Sequence, residues 1–244
     1  MQFTSETSSD GVVERGFTTG EVTGLLWSPV GHSDPAPLVL MGHGGGQHKR
    51  APGILSRAYH FVTTCGFAVA AIDAPGHGDR QRTPEDEQQI AGLRQAQASG
   101  DFLDAVVRYN ASLSARAVPE WQATLDALEK LPDVEGPVGY WGVALGTAIG
   151  VALTAVEPRI VAAVFGLIGP ESLTDAAARI TIPIQFLAQS DAPDDPHSGT
   201  GLYDAFASTD KSLISNPAAH YRGRPFELES STRFFLEHFS TAGA

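Results

Sequence analysis

The stretch that most restricts this chain is Gly142-Val143-Ala144-Leu145-Gly146. It follows the apolar run Pro137-Val138-Gly139-Tyr140-Trp141 and leads into Thr147-Ala148-Ile149-Gly150-Val151-Ala152-Leu153, an alanine-containing segment that reads as helix. A strand that reverses into a helix over so few residues crowds its neighbours, and small residues at 142 and 146 are what that reversal requires. The central residue then stands at a helix N-terminus, where backbone amides lack intrahelical acceptors and can face an anion. That is a place for a nucleophile, yet position 144 is alanine. A paired glycine spacing alone is common in close packing, so its meaning depends on the rest of the chain.

The surrounding pattern supplies a sheet. Short all-apolar runs at 38–41, 68–72, 160–168 and 182–188 predict strands buried on both faces. They alternate with helical segments such as 51–64, which implies a mostly parallel central sheet with right-handed crossovers and flanking helices. Segments 12–17 and 21–27, separated by Thr18-Thr19-Gly20, predict an antiparallel hairpin at a sheet edge. A last short strand is expected at 211–214, then a terminal helix over 227–239 that buries Phe234, Phe235, Leu236 and Phe239.

One region breaks the rhythm. Residues 80–118 begin polar, through Glu85-Asp86-Glu87-Gln88-Gln89, and then carry two helical patterns at 84–98 and 100–113. The second pattern gathers Phe102, Leu103, Val106, Val107 and Tyr109 near one face. Because 119–131 already reads as the next crossover helix, these two are surplus to a minimal sheet. They are expected to form a helical cap insertion over the strand ends, the alternative being an elaborated crossover against the side of the sheet. No composition shift marks a linker, so residues 1–244 are read as a single α/β domain.

Charge narrows the partners. With 16 Lys and Arg against 28 Asp and Glu the net charge is −12, and the cations are scattered, so nucleic acid and anionic membrane surfaces would be repelled. No apolar run reaches membrane-spanning length, and the polar, acidic first residues resemble no secretory leader. Cys65 is the only cysteine, so no intrachain disulfide forms; a buried thiol at a helix end and a cytoplasmic location are the expectation. Oligomeric state is not legible from the sequence.

Two further constellations carry chemistry. His43-Gly44-Gly45-Gly46 directly follows the strand at 38–41, where glycines let main-chain amides approach a carbonyl oxygen; Gly44, Gly45 and the Leu145 amide are the candidate oxyanion donors. Downstream, Asp191 follows the strand at 182–188, with Asp194 and Asp195 in the same loop, and His220 precedes the last helix. The order of position 144, then an acid, then a histidine suits a carboxylate that orients an imidazole base. His43, with Phe102 and Val106 of the cap, is a candidate substrate contact. Lys49 and Arg50 could steer an anionic substrate, but are read first as a solvated helix start. His43, His48 and His77 show no metal-ligand spacing, the phosphate-loop and dinucleotide fingerprints are absent, and no cofactor is expected.

Taken together, Leu38 to Gly46, Asp73-Ala74-Pro75-Gly76-His77-Gly78, the turn at 142–146 and Asn216-Pro217-Ala218-Ala219-His220 resemble the α/β-hydrolase superfamily, in particular small dienelactone-hydrolase-like and bacterial serine-esterase members. The resemblance spans almost the whole chain. It implies a serine-type hydrolase of small carboxylic esters or lactones working through an acyl-enzyme, with the catalytic serine at position 144 on a nucleophile elbow. Ala144 departs from that pattern. The expectations are an inactivated serine hydrolase; a natural serine-less member using His220 for proton-transfer or lyase chemistry; or a non-catalytic module that binds ligands in the old pocket.

Overall fold

The computed structural model describes residues 1–31, 35–188, 199–215 and 225–242. Among these, nine strands form one sheet in the order β1-β2-β3-β5-β4-β6-β7-β8-β9. The strands are β1 (Gln2–Ser9), β2 (Val12–Thr19), β3 (Val22–Pro29), β4 (Ala36–Gly42), β5 (Ala68–Ile72), β6 (Val134–Gly142), β7 (Ile160–Gly166), β8 (Ile184–Ala188) and β9 (Lys211–Ser215). β3 pairs antiparallel with β5, and from β5 to β9 every pairing is parallel. This is the α/β-hydrolase architecture that the sequence implies. The helices are α1 (Pro52–Cys65), α2 (Pro84–Ser99), α3 (Phe102–Leu128), α4 (Leu145–Thr154), α5 (Thr174–Ala177), α6 (Thr200–Ala205) and α7 (Pro225–Ala242), with a 3-10 turn at Glu171–Leu173.

Each face of the sheet buries its own core. Leu38, Leu40, Ala70 and Tyr140 face a cluster closed by α3 and α4, whereas Val39, Met41, Val69 and Trp141 face one closed by α1 and α7. Alternate residues of one strand thus enter opposite cores, which is why these runs are apolar throughout. Within α7, Phe234, Phe235 and Phe239 are buried, but Leu236 is 45% exposed. Expecting it inside was an error of helical phase: position 236 turns away from the stripe that 235 and 239 define.

Two elements depart from expectation more strongly. β1 extends the hairpin of β2 and β3 by a third strand, with every residue exposed. Polar apart from Phe3, it has no period to read; its signal is the Asp10-Gly11 turn, whose φ values of 51° and 80° suit a type I′ hairpin. The second cap helix and the crossover helix are one element. α3 runs unbroken for 27 residues through Pro119. Pro119 lacks an amide to donate, but Leu113, Ala117, Trp121, Leu125 and Leu128 form a continuous buried stripe across it, and that packing outweighs the proline. The expected cap boundary at 118 therefore falls inside a helix. α2 starts with a capping box between Thr83 and Asp86, and an ion pair from Arg116 to the buried Asp86 carboxylate ties it to α3. No helix of the described residues is long and apolar enough to cross a membrane.

Candidate active site

The parallel strands set the site. The C-terminal ends of β4 and β6 lie side by side, with Gly42 opposite Gly142, so the loop after β4 and the turn into α4 meet. Ala144 caps α4 with φ 55° and ψ −115°, a conformation that L-residues avoid. Its N–H donates to the Gly166 carbonyl at the end of β7 (3.0 Å), and its carbonyl accepts from the Thr147 and Ala148 amides.

Side chains around the turn over-determine this geometry. The Thr147 hydroxyl accepts from Gly166 N–H at 2.8 Å and lies 2.6 Å from the Gly166 carbonyl and 3.0 Å from that of Gly142. The fully buried Tyr140 donates its phenolic hydrogen to the Gly146 carbonyl at 2.7 Å, and burial pushes its pKa up. Close packing explains the glycines. A Cβ at Gly146 would stand 2.5 Å from the Gly42 oxygen, and one at Gly142 would stand 2.7 Å from the Gly146 oxygen. Neither role is evident from the apolar run that holds Tyr140 or from the segment that holds Thr147. A threonine three positions past the turn centre, in a segment otherwise of small and apolar residues, was the available signal.

The Gly-rich loop is held from both sides. His43 is 3% exposed; its Nε2 accepts from Ala74 N–H at 3.0 Å, so Nδ1 carries the proton and donates to the Gly44 carbonyl at 2.9 Å. Gln47 N–H donates to the same carbonyl at 3.1 Å. With the Gly44 oxygen fixed by two donors, planarity of the trans peptide points Gly45 N–H the opposite way. Gly45 also stands beside the elbow: a Cβ there would lie 4.0 Å from Leu145 Cβ. Leu145, first residue of α4, contributes an amide with no acceptor in its own helix. Gly45 and Leu145 thus lie side by side, while the Gly44 carbonyl is taken up by His43 and Gln47.

His43 is placed differently from the expectation of a substrate contact. Both ring nitrogens are engaged inside the protein, so the ring positions the loop and has no nitrogen left for a ligand. Burial is the main reason its pKa falls to about 4 from 6.5. Neutral His43 therefore stabilises the fold above pH 6.5, and that contribution is lost as pH falls through about 4, a change of about 3 kcal/mol. In H43Q the slope of unfolding free energy between pH 6.5 and 4, measured by urea titration, should be shallower than in the parent by about one proton. An unchanged slope would refute this role. His77, half-buried, lies near it with ring centroids 5.3 Å apart and planes tilted by 46°, and bonds the Pro75 carbonyl through Nδ1.

Lys49 and Arg50 are likewise occupied. Lys49 is buried, its ammonium paired with Asp73 and Asp79. Burial alone would raise the Asp73 carboxyl, but hydrogen bonds from Lys49 and Asp79, with the Lys49 charge, hold it below the usual carboxylate value. Thr23 adds a hydroxyl at 2.9 Å. This cluster ties the loop after β4 to the loop after β5. Arg50 pairs with Glu14 at 2.7 Å. Neither expected cation is free to steer an anion.

Of the remaining expected residues, Phe102 is 40% exposed on the first turn of α3 and Val106 is half-buried. Their neighbour Val107, not they, lines a groove that starts one helical turn from Ala144 at Ala148. Asp191, Asp194, Asp195 and His220 lie outside the described residues, as does the expectation that the Ala144 methyl faces His220. The flanking elements are described: β8 ends at Ala188 and α7 begins at Pro225. Among the described residues no group of three or more His, Cys, Asp or Glu is arranged to hold a metal ion.

No protein-family model matches the chain, and no curated protein does. Solved structures do. A cold-adapted esterase from an Arctic intertidal metagenomic library, determined with polyethylene glycol bound, is 29% identical over 98% of this chain and 100% of its own, with a TM-score of 0.78. Dienelactone hydrolase from Anabaena variabilis is 18% identical over 96% of this chain and 98% of its own, with a TM-score of 0.67. Acetyl xylan esterase 1 from Thermoanaerobacterium sp. JW/SL YS485 is 16% identical over 98% of this chain and 87% of its own, with a TM-score of 0.66.

Proposed function

We propose that this chain, whose fold is that of the α/β-hydrolases, carries the site of a serine-type hydrolase of carboxylic esters or lactones from which the nucleophilic oxygen is missing at Ala144. The observation that carries the reading is the backbone of Ala144, held at φ 55° and ψ −115° by bonds to Gly166, Thr147 and Ala148. Such strain persists only where surrounding structure enforces it, and a methyl group gains nothing from it. It is the posture in which a side-chain oxygen at 144 would stand at the mouth of a helix N-terminus, beside the donors that would receive a developing oxyanion.

With serine at 144, the hydroxyl oxygen would attack the ester carbonyl while His220, oriented by Asp191, takes its proton. The tetrahedral oxyanion would be held by the Gly45 and Leu145 amides. The alkoxide would then leave with the proton returned by His220, and water activated by the same imidazole would release the acid and restore the serine. As the chain stands, the first bond cannot form.

The test is to install the hydroxyl as A144S and assay short-chain aryl esters beside the parent chain. Gain of turnover supports the reading; its absence in a folded variant refutes it. Turnover by the parent chain itself would favour the serine-less proton-transfer reading, and ligand binding without turnover in either form the binding-module reading.

A further inference from the structure

The groove beside α4 lies outside the machinery described so far. It has a volume of about 410 Å³ and lies between α3, α4 and the segment 170–176. Its floor on α4 is Ala148, Ala152 and, just beyond the helix, Val156, a row at four-residue spacing whose first member lies one turn along from Ala144. Val107, Ala111 and Ala115 of α3 form one wall, and Leu173 and Ala176 form part of the other. Both α3 and α4 run away from the C-terminal ends of the strands, so the groove starts one turn of α4 below Ala144 and descends along the side of the sheet.

A second observation bears on what the groove takes. Asn110 lines it and is 9% exposed, yet its side-chain amide makes no hydrogen bond to the described residues. Ser114, one turn below, is by contrast satisfied, donating to the Asn110 carbonyl at 2.8 Å. The Asn110 amide is not among the fully enclosed polar atoms that lack a partner, so it keeps an open side, and the groove that it lines is where a ligand would meet it. A mostly apolar groove, with Ser114 and Ser172 its other polar residues and an unspent amide toward its upper end, matches an amphipathic molecule: a polar atom near Asn110 and an alkyl chain below it.

We propose that this groove is the subsite for the alkyl chain of a neutral medium-chain ester or alkyl-substituted lactone, with Asn110 hydrogen-bonding a polar oxygen of the substrate. The proposal rests on the hydrolase reading for its link to chemistry. The distance from Ala148 to Val156 along the helix is about 12 Å, the reach of an alkyl chain of about eight carbons. The net charge of −12 favours a neutral ester over a free fatty acid.

The test has two arms. In the parent chain, calorimetric binding of methyl esters from acetate to octanoate should tighten by about fourfold for each methylene that enters the groove. In A144S, kcat/KM for p-nitrophenyl esters should rise along the same series. A111F and A115W, both at exposed wall positions that the fold tolerates, should flatten the series in both arms, and N110L should weaken binding of every ester by a similar factor. If A144S is inactive while the binding series and its loss in A115W are seen, the hydrolase reading fails and the groove stands. If A144S is active but prefers acetate, and A111F and A115W leave the profile unchanged, the groove proposal is overturned.

Discussion

Replacing Ala144 with serine should raise turnover of p-nitrophenyl acetate on the order of 10⁴-fold or more over the parent chain, given that removing a nucleophilic serine from a protease costs roughly 10⁶-fold in kcat. The gain should be this large because the expensive part of the site is already in place. Backbone strain at 144, φ 55°, is carried by the alanine, so adding one oxygen asks for no new distortion. On the proposed reading, the Gly45 and Leu145 amides are the oxyanion donors, set by the bonds of His43 and Gln47 to the Gly44 carbonyl and by the start of α4, and such donors are worth about 3 kcal/mol each. Stability should move little, by less than about 0.5 kcal/mol, as for substitutions that create no cavity or clash. Adding His220→Ala to A144S should return the rate to near that of the parent. If the double variant stays as active as A144S, the imidazole is not the base, and the mechanism above is wrong.

The second large effect is on folding. Gly146→Ala places a methyl 2.5 Å from the Gly42 oxygen and 2.9 Å from its carbonyl carbon. Neither atom can retreat, because Gly42 is the last residue of β4, paired in register with Gly142. On propensity alone a glycine-to-alanine change in a helix gains about 1 kcal/mol. Here the backbone clash should reverse the sign, giving a net loss of about 3 kcal/mol and lowering Tm by about 6–12 °C. Gly53 in α1, where an added Cβ meets nothing within 4 Å, is the matched control, and Gly53→Ala should leave Tm unchanged or raise it. Equal shifts for the two would mean that the β4–α4 contact is looser than described.

What the sequence made legible, and what it hid, follows from where each residue's partners lie. Strands β4, β5, β7 and β8 were readable because burial on both faces leaves only apolar residues at those positions. β1 was not, because an edge strand exposed on both faces satisfies its backbone on one side and makes no demand on its side chains. The tight turn from β6 into α4 could be found from its two glycines, since backbone approaching backbone allows nothing else. Lys49 misled for the opposite reason. Its neighbours in sequence are polar, and the carboxylates that bury it, Asp73 and Asp79, come from the next crossover. The bonds that His43 makes to Gly44 and Ala74 were not legible, because a histidine that orients a peptide and one that meets a ligand have the same local sequence. The break expected before Pro119 failed because a proline rule is local, whereas the stripe from Leu113 to Leu128 is fixed by the sheet beneath it.

The unbroken α3 also bears on how such a protein could change over evolutionary time. Where a lid is a module on two flexible stalks, it can be exchanged or lost without disturbing the body. Here the wall of the groove and a supporting beam of the core are successive turns of one helix, Phe102–Leu128, pinned to α2 by the Asp86–Arg116 pair. Exchange of the whole segment would remove Trp121, Leu125 and Leu128 from the core together with Val107 and Ala111 from the groove. New ligand preferences are therefore reached by point changes on the outward side of the upper turns, a route that alters fit in small steps and keeps the body of the protein unaltered.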